Sequence, residues 1–146
     1  MTQRTQKTKR FDRAYMRMAV EWSMLSQAQR RRVGALIVKD SQIISDGFNG
    51  SPSGFKNACE DDEGLTLPHV LHAESNAITK LARSTQSSVG ATMYVTTAPC
   101  FNCAKLIIQA GITKVIYYDL YTNSEGIQLL HTAGVETYQV NLEDVD

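Results

Sequence analysis

Apolar positions recur along the chain in two periods, one helical and one extended, and their order lays out the fold. From Phe11 to Gln29, the residues Phe11, Tyr15, Met18, Ala19, Trp22 and Leu25 fall at helical spacing, which predicts a first helix whose aromatic stripe faces a core. Residues 1–10 are polar and basic with no such period, so they are expected to form a flexible basic tail and to leave 11–146 as the domain. Arg30-Arg31-Arg32 closes the helix. Val33 to Val38 is then a continuous apolar run of the kind a buried strand makes, and the turn Lys39-Asp40-Ser41-Gln42 returns the chain as Ile43 to Gly47, an antiparallel hairpin.

From Phe48 to about Leu71 neither period is visible. Loops of that length inside a compact domain are often lids or binding loops. Gly50 and Gly54 permit close backbone approach, and the Asn49 amide both donates and accepts hydrogen bonds. The second half alternates. Ala73 to about Arg83 reads as a helix burying Ala77, Ile78 and Leu81, and Ala91 to Val95 as a strand; Pro99 opens a helix that ends near Gly111. A strand follows at Lys114 to Tyr118, a helix from about Ser124 to Thr132, stopped by Gly134, and a last strand at Val135 to Val140. Strand, helix, strand, helix, strand requires right-handed parallel crossovers. The expectation is an α/β fold of three layers, with a mixed sheet of about five strands, an antiparallel first hairpin and helices on both faces. Ligands belong at the carboxyl end of the strand that enters Pro99.

Fifteen Lys and Arg balance fifteen Asp and Glu, but the zero net charge hides an asymmetry. Residues 1–32 hold nine of the bases against Asp12 and Glu21 alone, and Glu60-Asp61-Asp62-Glu63 is the densest acidic run. The basic end is either an arm for polyanions or a solvated tail and helix face. No basic and aromatic surface is suggested elsewhere, so no nucleic acid polymer is expected as partner. No apolar run is long enough to cross a membrane and no signal peptide is visible. Three cysteines argue against a disulfide scaffold and point to a reducing, cytoplasmic setting.

The chemistry lies in His72-Ala73-Glu74 and Pro99-Cys100-Phe101-Asn102-Cys103. Cys100 and Cys103, three apart, share one face of a first helical turn. His72 and Glu74, two apart, converge only at a helix end, so both pairs belong at helix N-termini, where the dipole favours thiolates. One imidazole and two thiolates make a three-ligand Zn2+ site with an open position. A carboxylate of pKa about 4.3 cannot deprotonate bulk water at about 15.7, whereas zinc brings bound water to about 7, so the metal makes the nucleophile and Glu74 moves protons. Two other readings of Cys100-x-x-Cys103 stand beside this one: a redox pair, and a structural zinc site with Cys59 as fourth ligand, which leaves Glu74 idle. Arg32, beside the first strand, is the candidate cation if the substrate carries a phosphate.

The His-x-Glu and Pro-Cys-x-x-Cys pairing resembles that of zinc nucleobase deaminases. His72-Ala-Glu-Ser-Asn-Ala-Ile78, Ala91-Thr-Met-Tyr-Val95, Pro99 to Gly111 and the Gly47-Phe-Asn-Gly-Ser-Pro-Ser-Gly54 loop narrow the likeness to deoxycytidylate (dCMP) deaminases, over about residues 11–140. The resemblance implies the cytidine-deaminase-like fold and hydrolysis of dCMP to dUMP and ammonia, supplying precursor for thymidylate. It implies His72, Cys100 and Cys103 on zinc and Glu74 as proton shuttle, with the Ala73 and Ala98 backbone on the cytosine edge and Asn49 on the sugar hydroxyl. Tyr121 is either a ring beside the nucleotide or an ordinary loop tyrosine. Relatives with a Gly-Tyr-Asn-Gly loop are often hexamers activated by dCTP with Mg2+ and inhibited by dTTP; here Phe48 replaces the Tyr. The resemblance thus implies a homo-oligomer, a hexamer, with an effector site around Phe48, Gly50 and Ser51, in the cytoplasm, or in the host cytoplasm if phage-encoded. Alternatives are a deaminase of dCTP, free cytidine or RNA, and a zinc-stabilised protein that only binds nucleotide.

Overall fold

The computed structural model describes residues 4–56, 58–120 and 124–143. Helix α1 spans Gln6–Ser23. It starts five residues earlier than the apolar period predicts and takes in residues assigned to the tail, because the Thr5 side chain caps it by accepting the Thr8 N–H at 3.0 Å. It also ends six residues earlier. The Ser26 hydroxyl bonds the Asn49 carbonyl at 2.8 Å and accepts the Ala28 N–H, drawing the chain off the helix axis.

Of the predicted stripe, α1 buries Ala19 and packs Tyr15 partly against the core, and the rest of its buried face lies elsewhere. Asp12, Arg13, Met16, Ala19 and Ser23 are buried, whereas Phe11 is 53 % and Met18 47 % exposed. The reason is a close approach: a Cβ on Gly34 would lie 2.1 Å from the Ala19 carbonyl oxygen and 2.8 Å from the Ser23 nitrogen. Only small residues fit where the helix crosses the sheet, so Met18 and Trp22 turn outward. Asp12 is tolerated inside because the Tyr94 hydroxyl and Arg4 both satisfy its carboxylate. Met16, fully buried, contributes about 1.5–3 kcal/mol on this face.

The five strands are β1 (Gly34–Lys39), β2 (Gln42–Phe48), β3 (Thr92–Thr97), β4 (Lys114–Asp119) and β5 (Glu136–Gln139), ordered β2-β1-β3-β4-β5. β1 pairs antiparallel with β2 and β3, and β3–β4 and β4–β5 are parallel, as the crossover argument requires. Asp40 and Ser41 both have positive φ, the two-residue hairpin geometry that matches strand twist. Side chains alternate across β1: Ala35 and Ile37 pack against α2 (Ala73–Ala82) in the core that α3 (Phe101–Gln109) and α4 (Glu125–Thr132) also cover, whereas Leu36 and Val38 join the core under α1. The fold is therefore the three-layer α/β arrangement expected, divided one helix against three. Residues 49–71 hold no helix or strand among those described, only bridges between Gly50 and Leu71 and between Glu60 and Thr66.

Candidate metal centre and active-site pocket

Two helix N-termini meet beside the carboxyl end of β3. His72 is the N-cap of α2, in extended conformation, and its side chain makes no cap bond. The ring is thus free to reach beyond the helix. Cys100 is the N-cap of α3, its sulfur accepting the Cys103 N–H at 3.4 Å. The His72 Nδ1 lies 3.2 Å from the Cys103 Sγ and 3.6 Å from the Cys100 Sγ, and the three ligand atoms are within 4.8 Å of one another. A tetrahedral zinc with Zn–N about 2.0 Å and Zn–S about 2.3 Å places N and S about 3.5 Å apart, so the donors fit that ion in type and spacing.

Cys59 is buried and lines the neighbouring pocket, but among the described residues it does not join this group. The four-ligand structural site weighed from the sequence is not formed. Burial pushes the Cys59 thiol up, with Glu60 adding to the effect.

The charges are arranged for a metal. The Cys100 thiol is held down to about 3 by hydrogen bonds from Cys103 and His72, so it is a thiolate. Cys103 is driven well above the usual thiol range by its partner sulfur and by burial, and His72 is raised chiefly by its bond to Cys100. Without an ion the two thiols thus share one proton between them. Glu74, 4 % exposed in the first turn of α2, is pushed by burial up to about 7 against the pull of a backbone hydrogen bond and of His72. A dication nearby draws it back toward the ionised form. It stands outside the ligand group.

A cavity of about 330 Å³ opens onto this centre. His72, Ala73, Glu74, Ala98, Cys100 and Asn49, all singled out in the sequence, line it. The Ala98 N–H is used by the Asp119 carbonyl at 2.7 Å, so Ala98 offers its own carbonyl. Ala73 opens α2, and its N–H has no partner within the helix. The Asn49 amide is clamped, its oxygen accepting the Val33 N–H at 2.9 Å and its nitrogen donating to the Arg31 carbonyl at 2.8 Å.

Arg32 does not line the cavity; its guanidinium donates to the Ala28 carbonyl at 3.2 Å. Arg30 and Arg31 line it instead. Arg31 is tied to Asp119 and Thr97, whereas the Arg30 guanidinium has no partner among the described residues. Sequence singled out the triplet but not the member that turns inward; just ahead of it the Glu60 carboxylate accepts the Gln29 N–H at 2.6 and 3.0 Å, a contact with no local signal. Phe48, Gly50 and Ser51 are not among the lining residues; Gly50 pairs with Leu71, the Phe48 carbonyl accepts from Asn76 at 2.7 Å, and the Ser51 hydroxyl donates to Ala58. Tyr121 lies outside the described residues.

Residues 9–119 match the family described as the cytidine and deoxycytidylate deaminase zinc-binding region. The deoxycytidylate deaminase of Enterobacteria phage T4 is 35 % identical over 75 % of this chain and 79 % of its own length. That of Saccharomyces cerevisiae is 31 % identical over 92 % of the chain, which spans only 46 % of the yeast protein. The crystal structure of dCMP deaminase from cyanophage S-TIM5 in complex with dCMP and dUMP superimposes with a TM-score of 0.88 at 42 % identity, covering 94 % of this chain and all of that one.

Proposed function

Because the chain belongs to the cytidine and deoxycytidylate deaminase family, we propose that it hydrolyses dCMP to dUMP and ammonia. The observation that carries this reading is the convergence on one cavity of the His72, Cys100 and Cys103 donors, the buried Glu74 and two arginines. Zinc held by those three donors supplies the Lewis acidity that brings a water's pKa from about 15.7 to about 7. The chain does the rest. Glu74 takes a proton from the attacking water, delivers it to the ring nitrogen beside the reacting carbon, and carries the next one to the departing amine, so ammonia leaves as the new carbonyl forms. The Ala73 N–H and Ala98 carbonyl match the acceptor and amino donor of a cytosine edge. Asn49, with one amide hydrogen committed to Arg31, keeps the other for the sugar.

We assign the phosphate to Arg30, in place of Arg32, because it reaches the cavity and is not committed elsewhere. Hydrogen bonds to charged groups contribute about 1.5–3 kcal/mol, which corresponds to about a ten- to hundredfold effect. At equal sub-saturating concentration, ammonia release should therefore be about ten- to hundredfold faster from dCMP than from deoxycytidine, and Arg30→Ala should raise KM for dCMP by about that factor. Turnover of deoxycytidine or dCTP with dCMP inert would leave the zinc chemistry standing and overturn the substrate.

We further propose a homo-oligomer that buries the outward face of α1. Phe11, Met18 and Trp22 are exposed on it and Leu25 just beyond its end, and neighbouring exposed apolar residues mark an interaction surface. Light scattering should give a mass several-fold above the 16.2 kDa chain, and Trp22→Glu should reduce it; a wild-type monomer would overturn the assembly. Regulation by dCTP with Mg2+ and by dTTP is proposed for the Phe48–Ser51 segment, which bonds α2 through Asn76 and pairs next to His72 through Gly50 and Leu71. The same assay with added effector reads it.

A further inference from the structure

Two contacts outside the pocket govern how the halves of the metal centre meet. A Cβ on Gly126, the second residue of α4, would lie 2.0 Å from the Pro99 carbonyl oxygen and 2.8 Å from that of Cys100. Real Cβ atoms do not approach within 3.0 Å of other heavy atoms, so the first turn of α4 rests directly on the backbone that presents Cys100. On the opposite half, a Cβ on Gly47 of β2 would lie 2.5 Å from the Ala73 carbonyl oxygen and 2.7 Å from the Ala77 nitrogen, so β2 supports the turn that carries His72 and Glu74. The obstructing atoms are backbone, which cannot swing aside as a side chain would. Ile127 and Leu130, buried against Ala104 and Ile107, hold α4 in place. No α4 residue lines the cavity.

We propose that Gly126 is a positioning residue of the metal centre: its missing side chain lets α4 seat the Pro99–Cys100 turn at the distance from His72 that the ion requires. Metal sites tolerate departures of only about 0.2 Å in ligand distance, whereas the clash that a methyl group makes here exceeds that several-fold. Gly126 touches no reacting atom and acts through Cys100. The inference rests on the zinc reading of His72, Cys100 and Cys103.

The test is zinc affinity by competition with a chromophoric chelator, together with the absorption spectrum of the cobalt(II)-substituted full chain, for wild type, Gly126→Ala and Gln128→Ala. Gln128 lies on the exposed side of the same helix. Gly126→Ala is expected to bind zinc about 10- to 100-fold more weakly and to lose intensity in the cobalt–thiolate band, with the far-ultraviolet circular dichroism of the metal-free protein unchanged. Gln128→Ala is expected to match wild type. If Gly126→Ala is destabilised but keeps wild-type zinc affinity and cobalt spectrum, Gly126 is a packing residue only and the inference is overturned. A wild-type chain that takes up no zinc overturns the site itself. Should Gly126→Ala not fold, Ile127→Ala loosens the same turn without adding an atom; unchanged zinc affinity there overturns the inference equally.

Discussion

Glu74→Gln is expected to hold zinc as tightly as wild type and to lose about three orders of magnitude in kcat, within the range general acid–base catalysis supplies. The substitution preserves shape and burial, so α2 and the His72 ring stay in place. What disappears is the ability to accept and return a proton. Burial lifts its pKa to about 7 in the metal-free protein, a dication beside it draws it back toward the ionised form, and the ionised carboxylate is the state that accepts the proton of the attacking water. In the proposed reaction the same carboxyl serves both the attack of water and the loss of ammonia, so its replacement affects both steps. The measurements are zinc content and single-turnover dCMP deamination. Full zinc with turnover reduced less than about tenfold would show that Glu74 is not the shuttle.

Cys103→Ser is expected to abolish stoichiometric zinc binding and activity together, and to erase the difference in melting temperature between zinc-loaded and metal-free protein. A ligand at a thousandfold excess over its Kd stabilises the folded state by about 4.1 kcal/mol, so the loss will be visible by calorimetry. The same residue fixes the pH response of the wild type. The thiol pair of Cys100 and Cys103 holds one proton in the metal-free protein and His72 is raised above its ordinary value, so zinc must displace a proton from the pair and, at lower pH, another from the imidazole. Protons compete for both ligands, so affinity is present at high pH and lost as pH falls. The apparent Kd should rise about tenfold per pH unit where one proton is displaced, and more steeply where His72 is also protonated. A flat Kd between pH 6 and pH 8 would contradict the charge assignment.

The residues legible from the sequence were those whose meaning is local. His72 with Glu74 and Cys100 with Cys103 are separated by two and three positions, and each pair belongs to one helix start, so their spacing alone implied convergence. The order of strands and helices followed from apolar periods that the core preserves, since β1, β3 and β4 are buried on both faces. The rotation of α1 was not legible. Its apolar residues carry a helical period whichever way they face, and the face was selected by Gly34 meeting Ala19 and Ser23. A polar residue, Asp12, takes a core position where Tyr94 meets it from a remote strand and Arg4 from just ahead of the helix. The arginine that enters the cavity was hidden for the same reason: Ser26, Asn49 and Glu60 route the segment through bonds spanning more than fifteen residues. Helix α1 begins at Gln6 because Thr5 caps it, while the apolar period that marks a helix in the sequence begins only at Phe11.

His72 and Cys103 stand 31 positions apart in the chain, and all of β3 lies between them. An ion gripping both ends ties that stretch into a closed ring of polypeptide. Such a ring loses conformational entropy from the unfolded ensemble much as a disulfide's does, although this protein uses its thiols elsewhere. The strand enclosed is the middle one of the sheet, paired with β1 on one side and β4 on the other. Loading the metal therefore also ties α2 and β3 to the start of α3 and restrains the middle of the sheet against unravelling.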